Sequence, residues 1–357
     1  MGPVVPRVAV VVLNWNGWRD TVECLESVLR TDYRNYFVVV CDNASTDGSP
    51  ARIGQWAKGQ IGLPPGGRAH LFESPLPRPI PLIEWTGERA LPPPASSLTL
   101  LRNEANLGFA GGNNAGIRFA LQSGADYIWL LNNDTVVEAD AIREMVNCME
   151  AFPAVGICGA TLLDYRLPDR IQTRGGYRYR RWCARCAPVG TGREDTGAAQ
   201  PALDYVAGAS MFVRRSFVEA VGLMEERYFL YFEELDWAMR GRKAFRLGYC
   251  RQARVYHKEG KSIGSGDSTG RSLAAEYFGS RNRVRVTLRF WPWYVPAVLL
   301  SLCASAVQRA FHRRWTHAGV VLAAACGVSP DRFPELRRLH RATTESRRNE
   351  EPVPSFK

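Results

Sequence analysis

Three short apolar runs constrain this chain more than any other feature of it. Val8-Ala-Val-Val-Val-Leu13, Tyr36-Phe-Val-Val-Val-Cys41 and Tyr127-Ile-Trp-Leu-Leu131 are continuous rather than alternating. That is the pattern of strands buried on both faces of a parallel sheet. Between the first two, Val22, Leu25, Val28 and Leu29 form a helical stripe. Each run stops at polar residues: Asn14-Trp-Asn-Gly17, Asp42-Asn-Ala-Ser-Thr-Asp-Gly48 and Asn132-Asn-Asp134. Downstream, the patterning predicts a short strand over 98–101, a helix that follows a Gly-rich stretch and runs to Leu121, a helix over 138–149 and a strand over 155–158. An apolar segment over 205–213, a helix over 232–247 and a short strand over 254–257 complete the reading. Strands alternating with helices predict an α/β fold with a mostly parallel, Rossmann-like sheet flanked by helices. Ligands bind such sheets outside the carboxyl ends of the strands, so Asp42 and Asp134 are expected at one crevice.

Composition sets the boundaries. The 357 residues are 46% hydrophobic and 23% charged, which excludes wholesale disorder and collagen-like structure. The length fits a catalytic domain, expected over 5–265, with an appendage over 271–346 and a disordered tail over 347–357. Prolines punctuate an insertion over 60–97 that cannot be regular helix. The segment 164–200 reads as basic and irregular, and the Gly-rich stretch 260–270 as a mobile loop. No internal repeat is evident. Nine scattered cysteines argue against a secreted disulfide scaffold, and the single Cys183-x-x-Cys186 lacks the second pair a zinc site needs. Without a basic-then-apolar leader, a cytoplasmic protein is expected.

Several side chains carry chemistry, each with a plain structural alternative. Asp134 at a strand end suits a hard divalent cation that also binds a diphosphate, or caps the next helix. Asp42 reads as an acceptor for a base or ribose, or as ordinary turn chemistry. Backbone NH groups of Gly108–Gly116 could approach a phosphate, or the glycines could serve a tight turn. Neither the Walker A pattern nor a dinucleotide fingerprint is present. Glu233, Glu234 and Asp236 follow Phe229-Leu-Tyr-Phe232, and a carboxylate among aromatics becomes a competent general base. Acids also favour the first turn of any helix. His257 ends a strand, as a structural histidine or as a partner for a Mn²⁺-like ion.

Taken together, these blocks make the chain resemble the inverting nucleotide-sugar glycosyltransferases of family 2, which have the GT-A fold, and in particular their bacterial rhamnosyltransferase branch. The resemblance rests on Val10-Val-Val-Leu-Asn-Trp-Asn-Gly17, Cys41-Asp-Asn-Ala-Ser-Thr-Asp-Gly48, Asn106-Leu-Gly-Phe-Ala-Gly-Gly-Asn-Asn114, Leu130-Leu-Asn-Asn-Asp-Thr135, Phe232-Glu-Glu-Leu-Asp236 and Val255-Tyr-His-Lys258. It implies that Asp42 reads the donor's base. Asn14, Asn16, Asn106, Gly108, Gly112, Asn113 and Asn133 are implied to line the rest of the donor site. Asp134 is the last acid of a DxD-type motif whose first two positions here are Asn132 and Asn133. With His257 it would hold Mg²⁺ or Mn²⁺. Glu234 is implied as the base, Glu233 as its neighbour and Asp236 as an orienting acid. The implied reaction passes a sugar, L-rhamnose from dTDP-L-rhamnose in this branch, to a lipid-linked or polysaccharide hydroxyl. A non-catalytic sugar-nucleotide-binding protein of the same fold and a metal-dependent nucleotidyltransferase are the alternatives.

The net charge of +11 is concentrated late. From Arg271 onward there are 15 Lys and Arg against 6 Asp and Glu. Phe290–Gln308 carries no charge but is interrupted by Pro292 and Pro296, with arginines on both sides. Trp, Arg and aliphatic residues in this mixture predict an interfacial helix on an anionic membrane surface rather than a span or a nucleic-acid site, at the cytoplasmic face.

Overall fold

The structure, a computed structural model, describes residues 5–63, 76–86, 98–192, 200–259 and 272–337. The first half runs β1 (Val8–Asn14), α1 (Trp18–Val28), β2 (Tyr36–Asp42), α2 (Ser49–Ala57), β3 (Leu82–Trp85), β4 (Leu98–Arg102), α3 (Gly108–Gln122), β5 (Tyr127–Asn132), β6 (Thr135–Val137) and α4 (Ala141–Ala151). There follow β7 (Val155–Asp164), β8 (Ile171–Arg174), β9 (Gly176–Arg180), β10 (Arg185–Pro188), β11 (Tyr205–Val206), β12 (Ser210–Arg214) and α5 (Arg215–Val221). The chain continues with α6 (Glu233–Gly241), β13 (Arg246–His257), α7 (Leu273–Phe290), α8 (Val295–Phe311) and α9 (Trp315–Ala325).

Ten strands form one sheet in the order β3-β4-β2-β1-β5-β12-β7-β13-β6, with β8 added alongside β7. The pairs from β3 through β5 are parallel, β12 is antiparallel to both its neighbours, and β13 returns parallel to β7. The continuous apolar runs are explained by burial on both faces. Val8, Val10 and Val12 pack with α1 and α4, whereas Ala9 and Val11 pack with α3 and Trp237 of α6. The glycines of α3 permit close approach: a Cβ at Gly116 would overlap Val11, and one at Gly112 would overlap Leu13.

Two expectations are corrected. The single helix over 232–247 is α6, which ends at Gly241, followed by the start of β13. The segment 164–200 is not irregular throughout, because β9 pairs with β10 and β11 in a separate three-stranded sheet. Within the Pro-rich insertion, residues 82–85 form β3 on the sheet edge. The expected mobile loop over 260–270 and the tail over 347–357 lie outside the described residues.

The C-terminal helices pack on the body. Val286, Trp291, Val298 and Leu302 share a buried cluster with Tyr179, Tyr205, Tyr228 and Leu235. The stretch Pro292–Phe311 is long and apolar enough to cross a membrane by length and composition. Its outer face leaves Trp293, Leu300, Val307 and Phe311 largely exposed, continued by Trp315.

Candidate functional site

Parallel pairing puts Asn14 opposite Asp42, at the carboxyl ends of β1 and β2. The Asn14 amide donates to the Asp42 carboxylate at 2.7 Å and to the Ser45 hydroxyl at 3.1 Å. Asp42 accepts a further bond from the Ser45 backbone NH at 3.1 Å. The Asn14 carbonyl oxygen accepts from Thr21 at 2.8 Å, and Asn133 donates to the same Thr21 hydroxyl at 3.0 Å. A chain of buried amides thus connects the end of β2 to the turn after β5. Asn16 accepts from the Thr46 NH at 2.7 Å and braces the neighbouring turn.

One turn further, β6 and β13 pair antiparallel with Thr135 opposite His257, which brings the histidine beside Asp134. Asp134 Oδ1 and His257 Nε2 are 3.4 Å apart, and the Lys258 NH donates to the Asp134 carbonyl at 3.0 Å. Burial alone would raise the Asp134 pKa, but the charge and hydrogen bonding of His257 outweigh it and the net shift is downward. For His257, burial is outweighed by Asp134 and the imidazole is shifted upward. Gln172 holds His257 Nδ1 at 3.0 Å, which leaves the buried Nε2 facing the Asp134 carboxylate. A fixed tautomer with its other nitrogen directed at a carboxylate fits a metal-binding pair. Among the described residues no cluster of three or more His, Cys, Asp or Glu is assembled, so the pair would need ligand oxygens from a bound diphosphate or water.

The third part is a strained turn. Phe229, Tyr231 and Phe232 have φ of 66°, 69° and 77°, a left-handed conformation costly for aromatic residues. It brings the first turn of α6 to the cavity. Glu233 is buried with Oε2 unpartnered, and burial together with the Glu234 charge pushes its pKa well up. Glu234 lies over Gly208, where a Cβ would overlap its carboxylate, and burial raises it to about 7. That is the range of a working general base at neutral pH. Asp236 points elsewhere: it accepts from Tyr228 at 3.1 Å, Arg240 at 2.8 Å and Arg289 at 2.8 Å, tying the turn to α7.

Asn282 of α7 secures the same turn. Its side chain, fully buried, donates towards the carbonyls of Tyr228, Leu230 and Tyr231 at 2.8, 2.8 and 3.1 Å. From the other side, Phe109 NH donates to the Phe229 carbonyl at 2.7 Å. A Cβ at Gly108 would overlap that carbonyl.

A cavity of about 780 Å³ gathers Asn133, Asp134, Glu233, Glu234 and His257 from the expected set. Asp42 and Asn14 do not line it; they stand behind Asn133 through the amide chain. Gly112 packs against β1, Asn113 donates to the Phe109 carbonyl at 3.0 Å, and Asn106 accepts from Asn43 at 2.9 Å. The Gly108 NH is taken by Asn106 Oδ1 at 3.0 Å, so the first NH groups of α3 serve the fold. Sequence reasoning missed Gly208, Gln172 and Asn282. The small residues within the apolar segment 205–213 were the signal for Gly208, whereas a single Asn inside a helix carries none.

A mostly parallel sheet, a strand-end acid with a histidine beside it and an acidic helix start on one cavity define a chain of the GT-A class. It belongs to glycosyl transferase family 2, whose profile it matches over residues 9–74 and 95–222. Over 157 residues it is 27% identical to the low-salt glycan biosynthesis hexosyltransferase Agl10 of Haloferax volcanii, covering 43% of this chain and 50% of that one. The match therefore spans about half the length of that curated relative. Two solved structures share the fold. The mannosyltransferase PcManGT from Pyrobaculum calidifontis, in complex with GDP-Man and Mn²⁺, matches at 16% identity and a TM-score of 0.50, over 91% of this chain and 87% of that one. GalNAc-T7 with UDP, GalNAc and Mn²⁺ matches at 14% identity and a TM-score of 0.57, over 81% and 49%.

Proposed function

We propose that the protein transfers a sugar, with inversion, from a nucleoside diphosphate donor to a hydroxyl of a lipid-linked or polysaccharide acceptor in cell-surface glycan biosynthesis. The observation that carries this reading is that Glu234 and the Asp134–His257 pair face one cavity. An acceptor hydroxyl is a weak nucleophile near neutrality, and Glu234, with its pKa raised to about 7, takes its proton as the new bond forms. Glu233 beside it is shifted well up by burial and by the Glu234 charge. Asp236 orients the turn, and Asp42, held by Asn14 and Ser45 behind the cavity wall, fixes Asn14 and through it the Asn133 side chain. Asp134 and His257 would hold Mg²⁺ or Mn²⁺, with Asn133 adding a neutral donor. Such an ion offsets the charge that builds on the departing diphosphate. Family membership and the Mn²⁺ complexes of the two similar structures support this part.

The donor we favour is dTDP-L-rhamnose, on the resemblance of the six sequence blocks. The protein rests peripherally on the anionic, cytoplasmic face of the membrane through the exposed stripe of α8, with exposed Arg313 just past its C-terminal end. A panel of nucleotide sugars with Mn²⁺, read by thermal stabilisation and by release of nucleoside diphosphate, tests the proposal. dTDP-L-rhamnose should raise Tm most and be consumed. Preference for another nucleotide sugar would replace the donor, and pyrophosphate release in its place would mark a nucleotidyltransferase.

A further inference from the structure

The cavity has a second end that the donor chemistry does not use. Beyond Glu234 it runs against α7 and α8, where Arg283, Gln308, Arg309 and Ser305 form its wall, with Arg185 of β10 across from them. Arg309 is committed: it grips Glu276 at 2.7 to 3.0 Å, so that acid and that cation cancel. Arg283 is anchored without being neutralised. It donates to the Cys183 carbonyl at 2.5 Å and to the Ser301 hydroxyl at 2.8 Å, and its Nε is buried with no hydrogen-bond partner. After burial, the strongest influence on it is the like charge of Arg185, which also lowers its pKa. Neither arginine has an ion pair with a carboxylate among the described residues. Glu259 lines the same cavity without pairing with either. A desolvated cation held next to another cation is costly unless an anion joins it.

We infer that Arg283 and Arg185 bind a phosphate group of the acceptor, the ester that joins its glycan to a carrier, so that the sugar hydroxyl reaches Glu234. This rests on the transferase reading above and adds the acceptor's class to it. Guanidinium groups match phosphate oxygens two at a time, and a preoriented fork loses little freedom on binding. The position agrees with a carrier at a membrane. Gln308 faces the cavity, while Val307 and Phe311 of the same helix are exposed on its outer side at 69% and 85%. A phosphate at the inner wall would therefore lie one helix thickness from an apolar surface.

The test uses the full chain with two acceptors that differ only in the linkage, an alkyl glycosyl phosphate and the neutral alkyl glycoside. The wild type should favour the phosphate by at least about tenfold in kcat/KM, the worth of one charge-assisted bond. In Arg283→Gln and Arg185→Gln that ratio should fall towards one, with Arg283→Lys intermediate. Inorganic phosphate should compete with the acceptor and not with the donor. Arg185 is exposed, so its variant reports even where Arg283→Gln lowers stability. Equal use of both acceptors by the wild type would overturn the inference. So would a rise in donor KM in both variants, or competition of phosphate with the donor, which would assign the arginines to the donor's diphosphate. Calorimetric binding of the alkyl glycosyl phosphate reads the site without turnover. Arg283-dependent binding in a protein that transfers no sugar would sink the transferase reading and leave the phosphate site standing.

Discussion

Removing the Asn282 side chain should separate the position of Glu234 from the rest of the active site. The turn it secures carries three non-glycine residues at φ of 66°, 69° and 77°, a strain of roughly 3–9 kcal/mol at about 1–3 kcal/mol each. Asn282 opposes this strain with the two hydrogens of its amide nitrogen, shared among three backbone carbonyls at 2.8, 2.8 and 3.1 Å. Each bond contributes about 1 kcal/mol net, and a buried carbonyl left bare costs about 1–3 kcal/mol. Asn282→Ala should therefore lose about 3–5 kcal/mol of stability, allowing for partial compensation as the turn relaxes. Relaxation moves the start of α6, and a displacement of about 1 Å at a catalytic group costs on the order of 10²-fold in rate. Asp134 and His257 sit on β6 and β13 and are held by other bonds, so donor KM should change by less than about threefold. The assay is steady-state kinetics below the variant's melting transition, alongside chemical denaturation. A variant that loses the stability but keeps kcat within twofold of wild type would show that the clamp serves the fold alone.

The remaining predictions concern the cavity and the surface. If Glu234 is the base, kcat should rise as pH climbs through about 7, because the ionised form accepts the proton; Glu234→Gln should flatten the profile and lower kcat by about 10²–10⁴-fold. Because its folded value lies above the ordinary 4.5, Glu234 favours the fold when protonated, and that stability is lost as pH rises from about 4.5 through about 7. Glu234→Gln should thus gain on the wild type at pH 8 relative to pH 5, measured by denaturant melts. Asp134→Ala should abolish cation-dependent turnover and weaken Mn²⁺ binding followed by electron paramagnetic resonance; undiminished turnover with a chelator present would remove the metal assignment. Leu300→Glu with Phe311→Glu should reduce flotation with anionic vesicles by tenfold or more, and unchanged flotation would rule out the α8 stripe as the contact.

Legibility in the sequence followed from how many physical constraints act on each segment. β1, β2 and β5 are apolar on both faces and admit no other reading, so the sheet and the polar strand ends Asp42 and Asp134 were visible at once. His257 was visible as a strand end, but its partnership with Asp134 depends on the β6–β13 register, a contact across more than a hundred residues. The boundary between α6 and β13 was hidden because Arg240–Leu247 keeps a helical stripe past the true stop. Gly241 closes the helix where a Cβ would overlap Phe217, a tertiary reason that no local pattern expresses. In β9, Gly176-Tyr-Arg-Tyr-Arg180 alternates as a strand should, with Tyr179 buried and Arg180 exposed, yet its basic composition masked the period of two. The glycines after Asn106 suggested a phosphate cradle, but the distances to Leu13, Val11 and Phe229 show what they serve: helix-on-sheet contact that leaves no room for a methyl group.

The site's geometry also argues about where the catalytic unit ends. The turn before Glu233 lies at a seam: Phe109 of α3 bonds it from the sheet side, and Asn282 with Arg289 of α7 bonds it from the other. Neither side alone can hold three residues in the left-handed region, since a turn with that much strain relaxes unless it is bonded from both flanks. Asp236 points the same way, because a fully buried carboxylate with no cavity contact is stable only through its bonds to Tyr228, Arg240 and Arg289, the last of which comes from the C-terminal helices. The C-terminal helices therefore also hold the turn that leads into Glu234. In the proposed reading, attachment through α8 and placement of Glu234 are joined through α7, so a force that tilts these helices against the sheet would act first on the turn before Glu233.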